Sequence, residues 1–259
     1  MSTLAVVVEV PHAGLALDEP TRRRLPRAAL EGDAVLADSD VGADAIYGAA
    51  VDAGACCIVA RLSRHVIDLN TAPRTPTAYE DKLPPQLRDV RRIAANGQTW
   101  YEAPPTRDEH ERLVRTYLEP YHGAVAHELD RAVGRHGAAL LLSGHTYPSR
   151  RGLPDAVVGT RHGTTASADL RALVAARLEA HGLSVSLEVP FAGGHAVARH
   201  ARPEERRFGL QLELARHLVV EPGRFELSPA AVHRLASVVR DVVSHLDEAL
   251  RQLAARAPG

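Results

Sequence analysis

The sequence has few of the residues that disulfide-bonded or strongly charged proteins require. It contains 2 cysteines among 259 residues, which is too few for the disulfide framework of a small secreted protein. They are Cys56 and Cys57, adjacent in the apolar stretch ACCIVA, a context that favours two buried small side chains. The sequence also lacks an excess of charge of either sign, since it contains 31 basic and 32 acidic residues. This balance argues against a surface for nucleic acid or for an anionic membrane.

Long apolar runs are absent as well. No run approaches the roughly 20 residues that a membrane-spanning helix needs. The chain enters a predicted strand near Leu4 without the basic flank, apolar segment or cleavage site of a secretory signal, so we expect a cytoplasmic protein. A hydrophobic content of 45% supports one large core. Because no linker divides the chain, we expect a single α/β domain over residues 1–259.

The stretch LAVVVEVPHAG, residues 4–14, predicts a buried strand that ends beside a histidine. Six of the seven residues from Leu4 to Val10 are apolar, which is typical of a strand covered on both faces. Pro11 ends the strand and places His12 at the carboxyl edge of the sheet, where open α/β sheets bind ligands. A single histidine in this position is more often a hydrogen-bonding loop residue than a ligand.

The rest of the chain alternates short strands with helices, which predicts an α/β fold with polar groups along one rim of the sheet. Further strands are predicted over residues 56–62, 138–142, 183–189 and 207–214. Helices are predicted over residues 41–54, 107–136 with an interruption near Pro120, 166–181 and 228–255. Residues 15–37 are predicted as a loop with a short helix, 71–105 as a proline-rich excursion that could cover a site, and 152–165 as a loop.

Other stretches send polar side chains to the same edge. The apolar strand ending at Leu142 is followed by Ser-Gly-His, which places His145 as His12 is placed. Asp40 precedes a predicted helix, where its ordinary role is that of an N-cap, but the start of this helix can face the same edge. Polar and apolar residues alternate within residues 63–70 and in the last predicted strand. The polar side chains that these alternations direct to one face are Arg64, Asp68 and Asn70, and Gln211 and Glu213.

These residue types suit metal-assisted hydrolysis. Two imidazoles and a carboxylate that leave a fourth position open are the usual ligands of a catalytic zinc ion. Such an ion polarises a carbonyl and lowers the pKa of water to about 7. A free carboxylate can then carry a proton from water to a leaving nitrogen, and an arginine can bind a substrate carboxylate.

Short motifs along most of the chain, roughly from Val8 to His217, occur in the order found in N-formylglutamate amidohydrolases. They are PHAG, SDVGA, SRxVIDLN, an apolar strand leading into GHT, DAVVGT, PFxGGH and QLEL. The chain resembles this family, which is similar in fold to zinc carboxypeptidases and aspartoacylase. The resemblance implies a three-layer α/β/α sandwich with a mixed central sheet. It also implies that one zinc ion assists the hydrolysis of an amide beside a free carboxylate.

The resemblance assigns roles to individual residues. His12, Asp40 and His145 would hold one Zn²⁺ per chain, or another divalent metal, with Asp38 as the rival of Asp40. Glu213 would be the general base and acid, and Asp68 would support Arg64 or a ligand histidine. The substrate-binding residues would be Arg64, Asn70, Gly193, Gly194 and Arg199. The other histidines are predicted to be hydrogen-bonding or solvated loop residues (His162, His195, His200) or surface residues of a helix (His122, His127, His136).

The chain departs from the family in its substrate-binding residues. Thr71 stands where the family has an arginine after D-L-N, and Arg74 could substitute for it. The resemblance predicts hydrolysis of N-formyl-L-glutamate to formate and L-glutamate. Because of this departure, two alternatives stay open. They are hydrolysis of another N-acyl amino acid or small amide, and a non-catalytic member that binds a small metabolite.

Overall fold

A computed structural model describes residues 3–31, 33–73, 90, 105–221 and 224–256. These residues contain one six-stranded sheet in the order β2-β1-β3-β6-β4-β5. Neighbouring strands are parallel except β4 and β6, which are antiparallel, so the sheet is mixed as the resemblance implied. The strands are β1 (Val6–Val10), β2 (Cys56–Val59), β3 (Ala139–Tyr147), β4 (Ala156–Gly159), β5 (Val185–Leu187) and β6 (Arg207–Ala215).

The helices of the described residues flank this sheet. They are α1 (Glu19–Arg24), α2 (Arg27–Glu31), α3 (Ala34–Asp38), α4 (Ala43–Gly48), α5 (Arg107–Leu113), α6 (Glu119–His136), α7 (Ala168–Ala180), α8 (His195–His200) and α9 (Pro229–Ala255). A π-helical turn, Val114–Leu118, separates α5 from α6 and confirms the interruption predicted near Pro120. Ser167 and Ser228 cap α7 and α9 through their side chains, which fixes the starts of these helices. None of the helices described is long and apolar enough to cross a bilayer.

The sheet is covered by helices on both faces, because side chains alternate along each strand. Val6, Val8 and Val10 of β1 share a core with α4, α7 and α9. Val7 of β1 points the other way and packs with α6 and α8. The predicted three-layer α/β/α arrangement is therefore confirmed.

Several predicted boundaries are wrong, for local reasons. β2 ends at Val59 and not at Leu62, because Pro11 ends its partner β1 at Val10. β3 continues past Leu142 to Tyr147, because β6 pairs with it along its whole length. Residues 152–165 contain the four-residue strand β4, which was predicted as a loop.

Two further segments also differ from prediction. Residues 63–70 form turns, and the polar side chains that their alternation placed on one side, Arg64, Asp68 and Asn70, do line one cavity. The region 15–37 holds three short helices, and the predicted helix 41–54 becomes a 3₁₀ turn after Gly48. The two cysteines are half-buried free thiols. Arg74 lies outside the described residues, as does most of the proline-rich excursion.

Gly144 of β3 lies against the ring of Tyr47 on α4. A Cβ atom at Gly144 would lie 2.5 Å from Cγ of this ring. The ring is fully buried, and its hydroxyl donates to the carbonyl of Leu212 at 2.8 Å. Only glycine at this position lets α4 pack closely on the sheet beside His145.

We expect Gly144→Ala to lower the free energy of unfolding by about 1–3 kcal/mol, the usual cost of overpacking a core. Urea denaturation measures this change. Gly134→Ala in α6 is the matched control, because a methyl group there would meet nothing within 4 Å. The control should be stabilised by about 0.5–1 kcal/mol from helix propensity. Equal stability of Gly144→Ala and the wild type would show that Tyr47 does not restrict this position.

Candidate active site

The register of the sheet brings polar side chains together at its carboxyl edge. In the pairing of β3 with β6, His145 lies beside Glu213 and Ser143 lies beside Gln211. Glu9 of β1 lies beside Ser143 in turn. These residues are two apart on each strand, so they share one face. The alternation that predicted Gln211 and Glu213 on one face of the last strand is confirmed.

Three buried side chains from separate segments meet at this edge: His12, Asp40 and His145. Oδ2 of Asp40 lies 2.7 Å from Nδ1 of His145 and 3.6 Å from Nδ1 of His12. Each residue offers one potential ligand atom, and these atoms lie within 4.8 Å of one another. No other group of three such residues occurs in the described part of the chain. The structure thus brings together the three residues that the resemblance named.

Asp40 is not the N-cap of α4, which was the ordinary alternative. The N-cap is Gly42, and no side chain caps the helix there. Burial alone would raise the pKa of Asp40, but the charges and hydrogen bonds of His12 and His145 hold it well below its usual range. Burial lowers the pKa of His145, but the charges of Glu213 and Asp40 outweigh this effect and raise it to about 9. The surroundings of Asp40 and His145 thus favour opposite charges close together.

The far nitrogen of each imidazole is held by a second polar group. Nε2 of His12 lies 2.8 Å from Oδ1 of Asp68. Asp68 also accepts from Arg64, with Nη2 at 2.8 Å from Oδ2. Nε2 of His145 lies 3.0 Å from Oγ of Ser143 and 3.1 Å from Nδ2 of Asn70. Both rings therefore present Nδ1 towards Asp40. Metal-binding histidines are commonly oriented in this way, with the other ring nitrogen hydrogen-bonded to a second polar group.

Glu9 is a supporting residue that the sequence analysis missed. It is fully buried and accepts hydrogen bonds from the hydroxyls of Ser143 and Tyr121. Ser143 links Glu9 to His145, because its hydroxyl contacts both side chains. Its signal in the sequence was the single charged residue within an otherwise apolar strand.

Glu213 is a separate carboxylate in the same site. It is 7% exposed and accepts a hydrogen bond from Nε2 of Gln211 at 2.9 Å. Burial, together with the negative charge of Asp40, raises the pKa of Glu213 to about 7 against the opposing charge of His145. Glu213 is not a member of the His12–Asp40–His145 group. Its carboxylate is therefore available for a role other than that of these three residues.

A cavity of about 290 Å³ opens onto these residues. Its size suits a small molecule. The predicted residues His12, Asp40, Arg64, Asp68, Asn70, His145 and Glu213 all line it. The rest of the wall includes Thr71, Tyr147, Pro148, Phe191 and Arg216. Arg216, which directly follows β6, was missed, although its signal was a basic residue three positions after Glu213.

Asp38 and the glycine pair take positions around the site that differ from those predicted. Asp38 lines the cavity, but its Oδ2 faces Nε2 of His65 at 3.7 Å and is not grouped with the two imidazoles.

Gly194 lies next to residues of the cavity wall, and its amide donates to Oε1 of Gln211 at 2.8 Å. A Cβ at Gly194 would lie 2.3 Å from Nδ2 of Asn70. The Gly193-Gly194 turn thus holds Asn70 in place and does not itself line the cavity.

The prediction that Arg199 lines the pocket is wrong. The short helix α8 directs Arg199 towards α6, where its Nη2 lies 2.7 Å from Oε2 of Glu119. It lines a separate cavity beside His122 and His200. The ion pair with Glu119 accounts for its charge.

His122 is not the surface residue that was predicted, because it is 1% exposed. Its Nε2 donates to the carbonyl of Leu69 at 2.9 Å, which leaves Nδ1 to accept from Nε2 of His200 at 2.9 Å. His200 is buried at the end of α8, and the amide of His195 donates to the carbonyl of Asn70 at 3.1 Å. These histidines support the 68–70 segment from behind. His127 and His162 are exposed and His136 is half-buried.

The buried imidazoles resist protonation. Burial and the neighbouring His200 lower the pKa of His122 to about 3. Burial and the positive charges of Arg199, Arg202 and Arg207 lower the pKa of His200 to about 4.

We expect the free energy of unfolding to fall as the pH drops from about 6.5 towards 4. The unfolded chain takes up protons on these imidazoles near pH 6.5, whereas the folded chain does so only near pH 4 and 3. The stabilisation is therefore complete above pH 6.5 and is lost below it, by up to about 1.4 kcal/mol per pH unit for each proton. Urea denaturation at a series of pH values measures the slope.

His200→Gln should reduce this slope, because glutamine keeps a donor towards His122 but does not titrate. His127→Gln, at an exposed position of α6, should leave the slope unchanged. The same slope in His200→Gln and in the wild type would contradict the expectation.

The fold and the site together define a class of protein. Two imidazoles and a carboxylate, with a further free carboxylate at the carboxyl edge of a mixed α/β sheet, are typical of hydrolytic enzymes. A family model described as N-formylglutamate amidohydrolase matches residues 4–220. The chain therefore belongs to the N-formylglutamate amidohydrolase family, a family of enzymes that its motifs indicated.

Individual relatives agree with this assignment. The chain is 31% identical over 261 residues to an N-formylglutamate deformylase of Pseudomonas aeruginosa, covering 95% of this chain and 92% of the relative. It is 31% identical over 229 residues to an N-formylglutamate deformylase of Pseudomonas putida, covering 84% and 82%. The crystal structure of N-formylglutamate amidohydrolase from Ralstonia eutropha has a TM-score of 0.82 at 26% identity and covers 96% of both chains.

Proposed function

We propose that the protein hydrolyses the amide of N-formyl-L-glutamate to formate and L-glutamate, using a divalent metal, zinc in the first instance. The observation that carries the proposal is the meeting of His12, Asp40 and His145 beside the free carboxylate of Glu213. The two Pseudomonas relatives named N-formylglutamate deformylases support the substrate.

The donor set of this site fits a zinc ion. Two neutral imidazole nitrogens and one carboxylate oxygen form a three-residue set that zinc accepts in catalytic sites. His12, Asp40 and His145 would hold the ion, while Asp68 and Ser143 orient the two rings. When bound, zinc supplies a Lewis acid that polarises the amide carbonyl and acidifies a water molecule.

Glu213 performs the proton transfers in this proposal. Its carboxylate accepts a proton from the attacking water as the water oxygen bonds to the formyl carbon. It then delivers that proton to the amide nitrogen as the C–N bond breaks, so that formic acid and the free amine of glutamate form. The proton of formic acid passes to the amine, and the products are formate and the ammonium form of glutamate. Its place beside His145, within the same cavity, lets one carboxylate serve both steps.

Arg64 and Asn70 form the wall next to the reacting groups. Arg64 is held by Asp68 and lies 3.6 Å from Oδ1 of Asp40 through Nη1. Asn70 is held through Oδ1 by the amide of Ala196 at 2.8 Å. We propose that both orient the substrate, Asn70 through its side-chain amide.

The purified protein should contain about one equivalent of divalent metal and should turn over N-formyl-L-glutamate. Elemental analysis and a formate-release assay measure the two properties. Glu213→Gln should lower kcat by about 100-fold or more while metal content persists, because the amide cannot accept the proton.

Two outcomes would contradict this account. A protein without metal and without turnover after zinc is supplied would reject the proposed hydrolysis. Unchanged activity in Glu213→Gln would remove Glu213 from the mechanism.

Asp68→Asn should weaken metal affinity by about 10- to 100-fold, because His12 loses the carboxylate that accepts its Nε2 proton. Competition with a chelator measures the affinity. Asp241→Asn is the matched control, since Asp241 also pairs with a histidine, His181, at 3.0 Å, but between α7 and α9. Equal affinities in the two variants would show that the Asp68–His12 contact does not support the metal.

A second candidate function follows from Thr71. It lines the cavity at the position where the family has an arginine, so this wall offers a hydroxyl in place of a cation. This change favours an enzyme that accepts another N-acyl amino acid or a small amide. A higher kcat/KM for N-acetyl-L-glutamate or for N-formyl-L-alanine than for N-formyl-L-glutamate would favour this candidate.

A further inference from the structure

The cavity wall contains two arginines among the described residues, Arg64 and Arg216. They differ in how their charges are balanced. Arg64 forms a hydrogen-bonded ion pair with Asp68 and lies 3.6 Å from Asp40. Its guanidinium therefore has two carboxylates of the protein as partners.

Arg216 has no such partner. It is 7% exposed, and no carboxylate of the described residues lies within 4 Å of its guanidinium. Its Nη1 and Nη2 donate to the backbone carbonyls of Ala37 and Ser39, at 3.2 and 2.5 Å. Its Nε is buried and has no hydrogen-bond partner in the described part of the chain.

A buried guanidinium is costly unless an anion compensates it. The carbonyls of Ala37 and Ser39 are neutral, so they satisfy hydrogen bonds but leave the charge unbalanced. Burial accordingly lowers the pKa of Arg216, although the more distant Asp40 and Asp38 oppose this effect. The cavity that Arg216 shares with His12, Asp40 and His145 is a space from which a compensating anion can reach it.

We infer that Arg216 is the residue that binds a carboxylate of the substrate. The inference rests on the proposed function and deepens it, because N-formyl-L-glutamate carries two carboxylates while Arg64 is already paired. Planar guanidinium groups bind carboxylates through two parallel hydrogen bonds, and Arg216 retains uncommitted N–H groups on Nε, Nη1 and Nη2. Arg64 then holds Asp68 and orients the substrate near the reacting amide, and Arg216 sets specificity for an acidic N-acyl amino acid.

The test compares three substrates that differ in one charge. They are N-formyl-L-glutamate, N-formyl-L-glutamine, which lacks the side-chain carboxylate, and the α-amide of N-formyl-L-glutamate, which lacks the other one. The wild type should favour the dicarboxylate over one or both amides by roughly 10- to 150-fold in kcat/KM, the range that a charge-assisted hydrogen bond provides. In Arg216→Met, one of these two ratios should fall to near 1, and the affected amide identifies the carboxylate that Arg216 binds.

Arg64→Met is the matched comparison. It should lower kcat/KM for all three substrates alike, because it disturbs Asp68 and Asp40, and it should leave both ratios intact. Arg216→Lys keeps the charge but loses the planar fork, so it should retain part of the lost ratio. A uniform loss in Arg216→Met with both ratios unchanged would overturn the inference, because Arg216 would then act on residues 37–40 at the end of α3 or on the reacting amide. Loss of a ratio in Arg64→Met alone would overturn it too.

Binding of glutarate, followed by calorimetry, tests Arg216 independently of turnover. Arg216→Met should weaken glutarate binding by at least tenfold, and Arg23→Met, at an exposed arginine that pairs with Glu19 in α1, should not. If the wild type hydrolyses none of the three substrates, the proposed function fails while the glutarate comparison still decides the role of Arg216. Equal glutarate affinity in Arg216→Met and the wild type would overturn that role.

Discussion

The carboxylate of Asp40, lying against Nδ1 of His145 and close to Nδ1 of His12, is the interaction on which the site depends. It joins three segments: the end of β1, the loop before α4, and β3. The backbone reinforces the contact, since the amide of Asp40 donates to the carbonyl of His12 at 3.0 Å. The sheet register then places Glu213 beside His145. The chemistry of the site is thus a consequence of how the three segments are held together.

Holding so many ionisable groups in a buried place requires partners for each of them. Asp68 is fully buried and is stabilised by His12, Arg64 and the amide of Asn70. Glu9 is equally buried and is stabilised by two hydroxyls. Removing one partner of a buried charge is far more costly than the interaction is favourable. These contacts therefore constrain the ring orientations of His12 and His145 more than they add to stability.

Sequence reasoning predicted the parts of the site that follow from strand ends. An apolar run ending in a proline located His12, and alternation in a long strand located Gln211 and Glu213. The family motifs added Asp40. Reasoning failed where a partner in another element decides the outcome. His122 resembled a surface helix residue because nothing in its own helix shows that the carbonyl of Leu69 will meet it. Arg199 was predicted to line the pocket, but the orientation of α8 directs its side chain to Glu119 on α6.

Charge balance in the cavity relates the metal site to substrate recognition. Four carboxylates and two guanidinium groups of the described residues line the wall, so with neutral imidazoles it carries an excess of two negative charges. Two of these carboxylates, Glu213 and Asp40, raise the pKa of His145 and so favour a positive charge at this point. A divalent cation held by the imidazoles and Asp40 would supply that charge and neutralise the wall. An anionic substrate would then meet no net repulsion, and the unpaired guanidinium of Arg216 would decide where its carboxylate binds.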